Sequence, residues 1–226
     1  MNQYNFIIGP TDTDSISFCK QTMEPFNKEE LDKLLKEINE ISPEMMIWED
    51  DGYYKTVITL AAKNYVLEKY DGSITYKGNS IKAPMKEIAL AEFIKRIIKE
   101  ILDETNRFVD VYHEYVKEIL NIKDVTRWSS KKTITPSVMN PKRTNEQKIK
   151  DAIQGTEYVE GDKIRVFFKS DESLCLVERF DGDFHMKKML EKLYDTAQIF
   201  KYVLVVEDLF LNYGLKKNQK LLEELK

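Results

Sequence analysis

Two carboxylates, Asp12 and Asp14, stand one residue apart just after an apolar run that enters Gly9-Pro10, and a second run alternating apolar and polar residues leaves them. On an extended chain, side chains at i and i+2 leave the same face, so the spacing predicts that both acids point into one space. Carboxylates held that close repel each other. A divalent cation between them relieves the repulsion, and hard oxygen donors of this kind suit Mg²⁺ or Mn²⁺. Such a pair supports two-metal phosphoryl or nucleotidyl transfer, in which the ions activate the attacking oxygen and stabilise the leaving one. The competing reading is a solvated turn whose Asp and Ser side chains bond to nearby backbone. A calcium loop starting at Asp12 is excluded, because its sixth position needs Gly and its twelfth Glu, where Ser17 and Met23 stand.

Two other groups have the chemistry to hold a nucleic acid. Lys63-Asn64-Tyr65 joins two strand-like runs and sets a phosphate-seeking ammonium beside an aromatic ring. An ordinary same-face pair on a sheet is the plainer account. Lys131 and Lys132, with Ser129, Ser130 and Thr133 around them, could bond to phosphate oxygens, or form a solvated loop with Trp128 tucked into the core. Gly78, after Tyr76-Lys77, serves either a close backbone approach or a simple turn.

The elements that must position these residues emerge from periodicity. Gly-Pro followed by the two acids reads as strand, turn, strand, with acid at the tip. Asn27-Lys28-Glu29-Glu30 reads as an N-cap with Glu at N3, and Leu31, Leu34, Leu35, Ile38 and Ile41 come after it at helical spacing up to Pro43. Strand-like runs over 44–49, 53–61, 65–70 and 73–76 are broken by Asp-Asp-Gly at 50–52 and by Asp71-Gly72, a strong hairpin signal. An antiparallel sheet backed by a helix, with the acidic hairpin on that sheet, is the expected first part. From Pro84 the period becomes helical, with stripes over 88–101 and 108–120, so the domain boundary is expected at 83/84. A capping box is expected at Thr144 to Gln147, a stop at Gly155, short strands over 163–168 and 174–177, and two or three C-terminal helices.

The 226 residues suffice for one large or two small domains, and 42% hydrophobic with 33% charged residues describes a charge-rich globular chain. No apolar run reaches a membrane span and no signal-peptide pattern opens the chain, so a cytoplasmic protein without a membrane partner is expected. Cys19 and Cys175 lack Cys or His neighbours at ligand spacing, which argues for reduced thiols, and the solitary His113 and His185 argue against zinc. A net charge of -4 gives no global attraction to nucleic acid, so any basic surface must be local.

Asp12-Thr13-Asp14-Ser15, preceded by an apolar strand, resembles the third polymerase motif of family-B DNA polymerases, with Pro10-Thr11 where the family has Tyr-Gly. Ala61-Ala62-Lys63-Asn64-Tyr65 resembles the family's Lys-x-Tyr motif in order and spacing. Tyr76-Lys77-Gly78 resembles its palm-closing Lys-Gly step, and Val159 to Ile164 resembles a late thumb turn. The resemblance implies an α+β fold, with an antiparallel palm-type sheet and helix over 1–83 followed by a mainly helical thumb-type domain over 84–226. It further implies that Asp12 and Asp14 bind Mg²⁺ (or Mn²⁺) in a two-metal site completed by a residue outside this chain. Lys63, Tyr65, Lys77, Gly78, Lys131 and Lys132 are implied to hold primer-template DNA, with deoxynucleoside triphosphates as substrates.

The family's other aspartate motif, its nucleotide-handling helix and its exonuclease domain have no counterpart in these residues. The expectation is therefore a viral or phage-like split subunit, or a truncated piece, that is inactive alone and works with a second polymerase chain carrying those parts. An unpaired palm edge is expected to make it dimeric, aggregation-prone or dependent on that partner for solubility. The alternatives from other classes are a non-catalytic module that binds duplex DNA or docks on a polymerase, and a scaffold with neither property.

Overall fold

The computed structural model describes residues 5–12, 14–204 and 209–225. The chain divides into two compact units, Met1–Gly78 and Asn79–Lys226. The fold is α+β, built from small antiparallel sheets and helices.

In the first unit, β1 (Phe6–Asp12) and β2 (Ser15–Lys20) form a hairpin, α1 spans Lys28–Ile41, and β3 (Thr56–Ala61), β4 (Asn64–Glu68) and β5 (Ile74–Lys77) form a meander. The expected capping box starts α1: Asn27 Oδ1 accepts from Glu30 N–H at 2.9 Å, and the Glu30 carboxylate accepts from Asn27 N–H at 2.8 Å. The Glu30 carboxylate also receives the Lys20 ammonium at 2.7 Å, which, with the cap, holds it below the usual carboxylate range. That pair and the packed rings of Phe6, Phe18 and Phe26 fix the hairpin's base to the start of the helix. Pro43 forces the preceding Ser42 into extended backbone and stops the helix.

Two expectations are corrected here. Residues 44–49 form no strand, because the backbone of Trp48 is satisfied in both directions by the Asn39 side chain, at 2.7 and 3.0 Å, instead of by a sheet partner. The acidic hairpin is not a member of the three-stranded sheet either, since β1 and β2 pair only with each other among the described residues.

The second unit opens with the short α2 (Asn79–Lys82), followed by α3 (Ile88–Leu102) and α4 (Phe108–Leu120). Next come β6 (Ser130–Thr133), α5 (Pro136–Met139) and α6 (Thr144–Ile153), then β7 (Lys163–Phe168) and β8 (Leu174–Leu176). It ends with α7 (Met186–Ala197), α8 (Lys201–Leu204) and α9 (Gln219–Glu223). Of the stripe Ile88, Ala91, Ile94, Ile98 and Ile101 read on α3, only Ile94 and Ile98 are buried, and the core face is turned toward Leu90, Phe93 and Ile97; on α4 the stripe residues Val111, Tyr112, Tyr115 and Ile119 are buried, as are Met189, Leu190 and Leu193 of α7. A second, smaller core of Ile134, Val138, Ile153, Ile164, Val166 and Leu176 lies under the sheet β6-β7-β8. Glu146 accepts from the N–H groups of Lys142 and Arg143, so the N-cap of α6 is Arg143, one residue before the expected box. Gly155 comes after the last turn at φ +75°, as its stop residue should. No helix among the described residues is long and apolar enough to cross a membrane.

The segment after residue 208 is tied to α4 by Tyr213, whose hydroxyl lies 2.9 Å from His113 Nε2. Burial, and secondarily the Lys117 ammonium, holds His113 below the ordinary imidazole range against the opposing pull of Asp110. The unfolded chain therefore takes up this proton at a higher pH than the folded one, and stability present above the unfolded value is lost as pH falls. The thermal midpoint is expected to drop as pH is lowered through about 6.5, and His113→Gln is expected to remove that part of the pH dependence in melts monitored by circular dichroism.

Candidate functional site

The hairpin's register places its acids. Asp12 pairs with Ser15 and Asp14 lies in the turn; Thr13 lies outside the described residues. Asp14 thus sits in the turn and not on a strand, and hairpin geometry, not extended-chain spacing, sets where the two acids lie. Gly9-Pro10, expected as the turn, is instead a bulge: Ile8 pairs with Phe18 and Thr11 with Ile16, so two residues of β1 oppose Ser17 alone. A bulge adds twist and re-aims the side chains beyond it. Both acids are exposed at the tip.

The β3–β4 turn supplies the second half. Lys63 has φ +59°, and its N–H donates to the Tyr65 hydroxyl at 3.1 Å. Asn64, buried behind it, donates from Nδ2 to the Ala62 carbonyl at 2.8 Å. Tyr65 pairs across the sheet with Lys77, and the next residue, Gly78, has φ +103°. A Cβ on Gly78 would overlap Asn64 Oδ1 and the Lys63 carbonyl oxygen, so the close-approach reading of this glycine is the one that holds. Lys63, Tyr65, Lys77 and Gly78 are therefore gathered at one end of the meander.

That end meets the hairpin tip. Lys63 Nζ lies 3.1 Å from Asp12 Oδ1, with the two side chains 74% and 36% exposed. An ion pair this open to water contributes at most about 1 kcal/mol, so it is readily exchanged for a phosphate or a cation. Among the described residues no group of three or more His, Cys, Asp or Glu is placed to hold a metal ion. Asp12 and Asp14 supply hard oxygen donors at an open tip, which fits part of a Mg²⁺ shell; the ion typically keeps water and takes substrate phosphate in its remaining positions.

In the second unit, the basic stretch expected as a loop is an edge strand. Trp128 is buried, and its Nε1–H donates to Glu118 Oε1 at 2.9 Å. Arg127 is bound to Glu92 and Glu118. Lys131 pairs with Arg165 and Thr133 with Lys163, so Lys131, Arg165 and Lys163 share one face of the sheet. Lys132 pairs with the buried Ile164 and lies on the opposite face, beside a small cavity lined also by Asn145, Phe168 and Lys192. Sequence reasoning passed over Arg165 and Lys163. Their signal was the alternation Lys163-Ile164-Arg165-Val166, in which the buried pair puts both cations on the other face, Lys163 exposed and Arg165 half-buried with its guanidinium donating to the Ser129 carbonyl and hydroxyl at 3.3 Å.

In fold, the chain is similar to the family B DNA polymerase of the hyperthermophilic archaeon Pyrobaculum calidifontis, with a TM-score of 0.66 and 18% identity, over 92% of this chain and 28% of that one. At that identity the likeness establishes a polymerase-type, palm-and-thumb-like fold. The chain spans 28% of that polymerase's length. No family model and no curated protein matches the sequence.

Gly78→Ala is expected to destabilise the first unit by about 2–4 kcal/mol, adding left-handed backbone strain to the overlap with Asn64 and Lys63. Lys63→Ala, which loses only the exposed ion pair, is expected to cost under about 1 kcal/mol. Urea denaturation of both variants compares the two.

Proposed function

We propose that the chain is the end of the palm and the thumb of a DNA-directed DNA polymerase of the family-B type, acting with a second chain that carries the remaining motifs. The observation that carries this reading is the meeting of the acidic hairpin tip with the Lys63-Tyr65-Lys77-Gly78 corner in a polymerase-like fold. Asp14 and Asp12 would hold Mg²⁺ with ligands from outside the chain, and that ion would supply activation of the attacking oxygen and charge neutralisation at the phosphate. Lys63, beside Asp12, is within reach of a backbone phosphate near the same tip. Tyr65 offers a rigid hydroxyl and ring, Lys77 a second ammonium in the next strand, and Gly78 the close packing that keeps the corner fixed. The face carrying Lys131, Lys163 and Arg165 would grip duplex DNA through its phosphates, and Lys132 would reach the backbone from the other face.

A second reading, a DNA-gripping module without catalysis, is favoured by the Lys63–Asp12 ion pair, which balances one acid without a metal. The two readings separate on the acids. Under the polymerase reading, Mg²⁺-dependent primer extension is expected only when the chain is mixed with a polypeptide bearing the missing aspartate motif, and Asp14→Asn is expected to abolish extension while leaving primer-template binding intact. Extension that survives Asp14→Asn rejects the assignment of this residue. Binding with no gain in synthesis supports the non-catalytic module.

The basic face has its own test, in fluorescence anisotropy with duplex DNA at several salt concentrations. Lys131→Ala is expected to weaken binding for all sequences alike and to reduce the slope of log affinity against log salt by about 1. An unchanged slope would mean that Lys131 touches no phosphate.

A further inference from the structure

The ion pair of Lys63 and Asp12 joins two residues that the proposed function uses separately, one toward phosphate and one toward a cation. The main chain under the lysine is fixed: Lys63 has φ +59°, its N–H donates to the Tyr65 hydroxyl at 3.1 Å, and Gly78 packs against its carbonyl. Its side chain is 74% exposed, and the ammonium lies 3.1 Å from Asp12 Oδ1. The charge therefore swings on flexible methylenes from a set point, and Asp12 is where it rests.

An ammonium has three donors and can reach a carboxylate and a phosphate at once. Each such bond is about 2.8 Å long, so sharing would hold the two anions within about 5 Å of each other. Like charges that close repel, and exchange is favoured over sharing. A phosphate that draws the ammonium from Asp12 also sets a second negative charge beside this carboxylate, which raises its affinity for a divalent cation. With a cation at Asp12, the ammonium is in turn released toward phosphate.

We propose that the Lys63–Asp12 pair is an autoinhibitory latch: Asp12 withholds Lys63 from nucleic-acid phosphate and Lys63 withholds Asp12 from a divalent cation, so each ligand opens the site for the other. The latch rests on the polymerase reading, which brings both ligands to this tip. Linkage makes the coupling reciprocal. Its size is bounded, because an open ion pair favours the closed arrangement by at most about fivefold, and apparent affinity falls with the competent fraction. Asp14 is the internal control, carrying the same charge at the same exposed tip without an ion pair among the described residues.

The test is a double-mutant cycle on the affinity of the full chain for a labelled primer-template duplex, read by fluorescence anisotropy at low salt with EDTA and no second chain. The substituted side chains are all exposed, so the variants keep the fold. Lys63→Ala is expected to weaken binding by removing a phosphate contact. Asp12→Asn is expected to tighten binding about two- to fivefold more than Asp14→Asn, and this difference is expected to vanish in the Lys63→Ala background. For the cation, Mn²⁺ is titrated without DNA and followed by paramagnetic broadening of the Thr11, Asp12 and Ser15 amide signals. Lys63→Ala is expected to bind it about two- to fivefold more tightly than Lys77→Ala, which removes an equal charge from the same corner. Equal DNA affinities for Asp12→Asn and Asp14→Asn, a difference that persists without Lys63, or equal Mn²⁺ affinities for the two lysine variants would overturn the latch and leave the polymerase reading standing. Unchanged DNA binding by Lys63→Ala would overturn the latch and also remove Lys63 from the proposed grip on DNA.

Discussion

An amide oxygen and a carbonyl oxygen leave no room for a side chain at residue 78, and the candidate site depends on that exclusion. Gly78 lies against the β3–β4 turn, where Lys63 is left-handed and Asn64, the first residue of β4, is buried. The Tyr65 hydroxyl closes the same turn from the sheet side. The corner is therefore over-determined by packing and hydrogen bonds, the condition under which backbone in sparsely populated conformations persists. Its product is a fixed backbone position from which an exposed Lys63 side chain reaches an acidic hairpin tip.

Charge in the second unit is sorted by a similar logic. Glu118 receives both Arg127 and the indole N–H of Trp128, so one carboxylate fixes a buried aromatic and neutralises a partly exposed cation. Lys131 of β6 and Lys163 of β7 remain exposed on one face, while the same strands bury an apolar core on the other. A chain with net charge -4 can thus still present a local surface suited to phosphate, because alternation along a strand separates apolar from charged residues.

Much of this was legible in the chain. The capping box at Asn27 and Glu30, the helical period of α3 and α4, the Asp71-Gly72 hairpin and the stop at Gly155 are local signals, and local hydrogen bonding or periodicity suffices to realise them. The failures were of another kind. Residues 44–49 look like a strand until Asn39, on the preceding helix, takes up the backbone groups a neighbouring strand would have used. Gly9-Pro10 looks like a turn until the register shows two residues opposite one. Glu87 looks like part of a helix start, and nothing nearby in sequence predicts its partners at Ser130 and Lys192.

The sequence by itself determined which residues could do chemistry, where most helices run and that Asp71-Gly72 turns a hairpin, because these depend on side-chain type and on spacings of a few residues. Only the tertiary structure decided that Lys63 reaches Asp12, that Lys131 joins Arg165 and Lys163 while Lys132 turns away, and that one oxygen of Glu87 is left without a donor. Each of these depends on strand register or on packing between residues distant in the chain, and a shift of one residue in pairing would send every side chain to the other face.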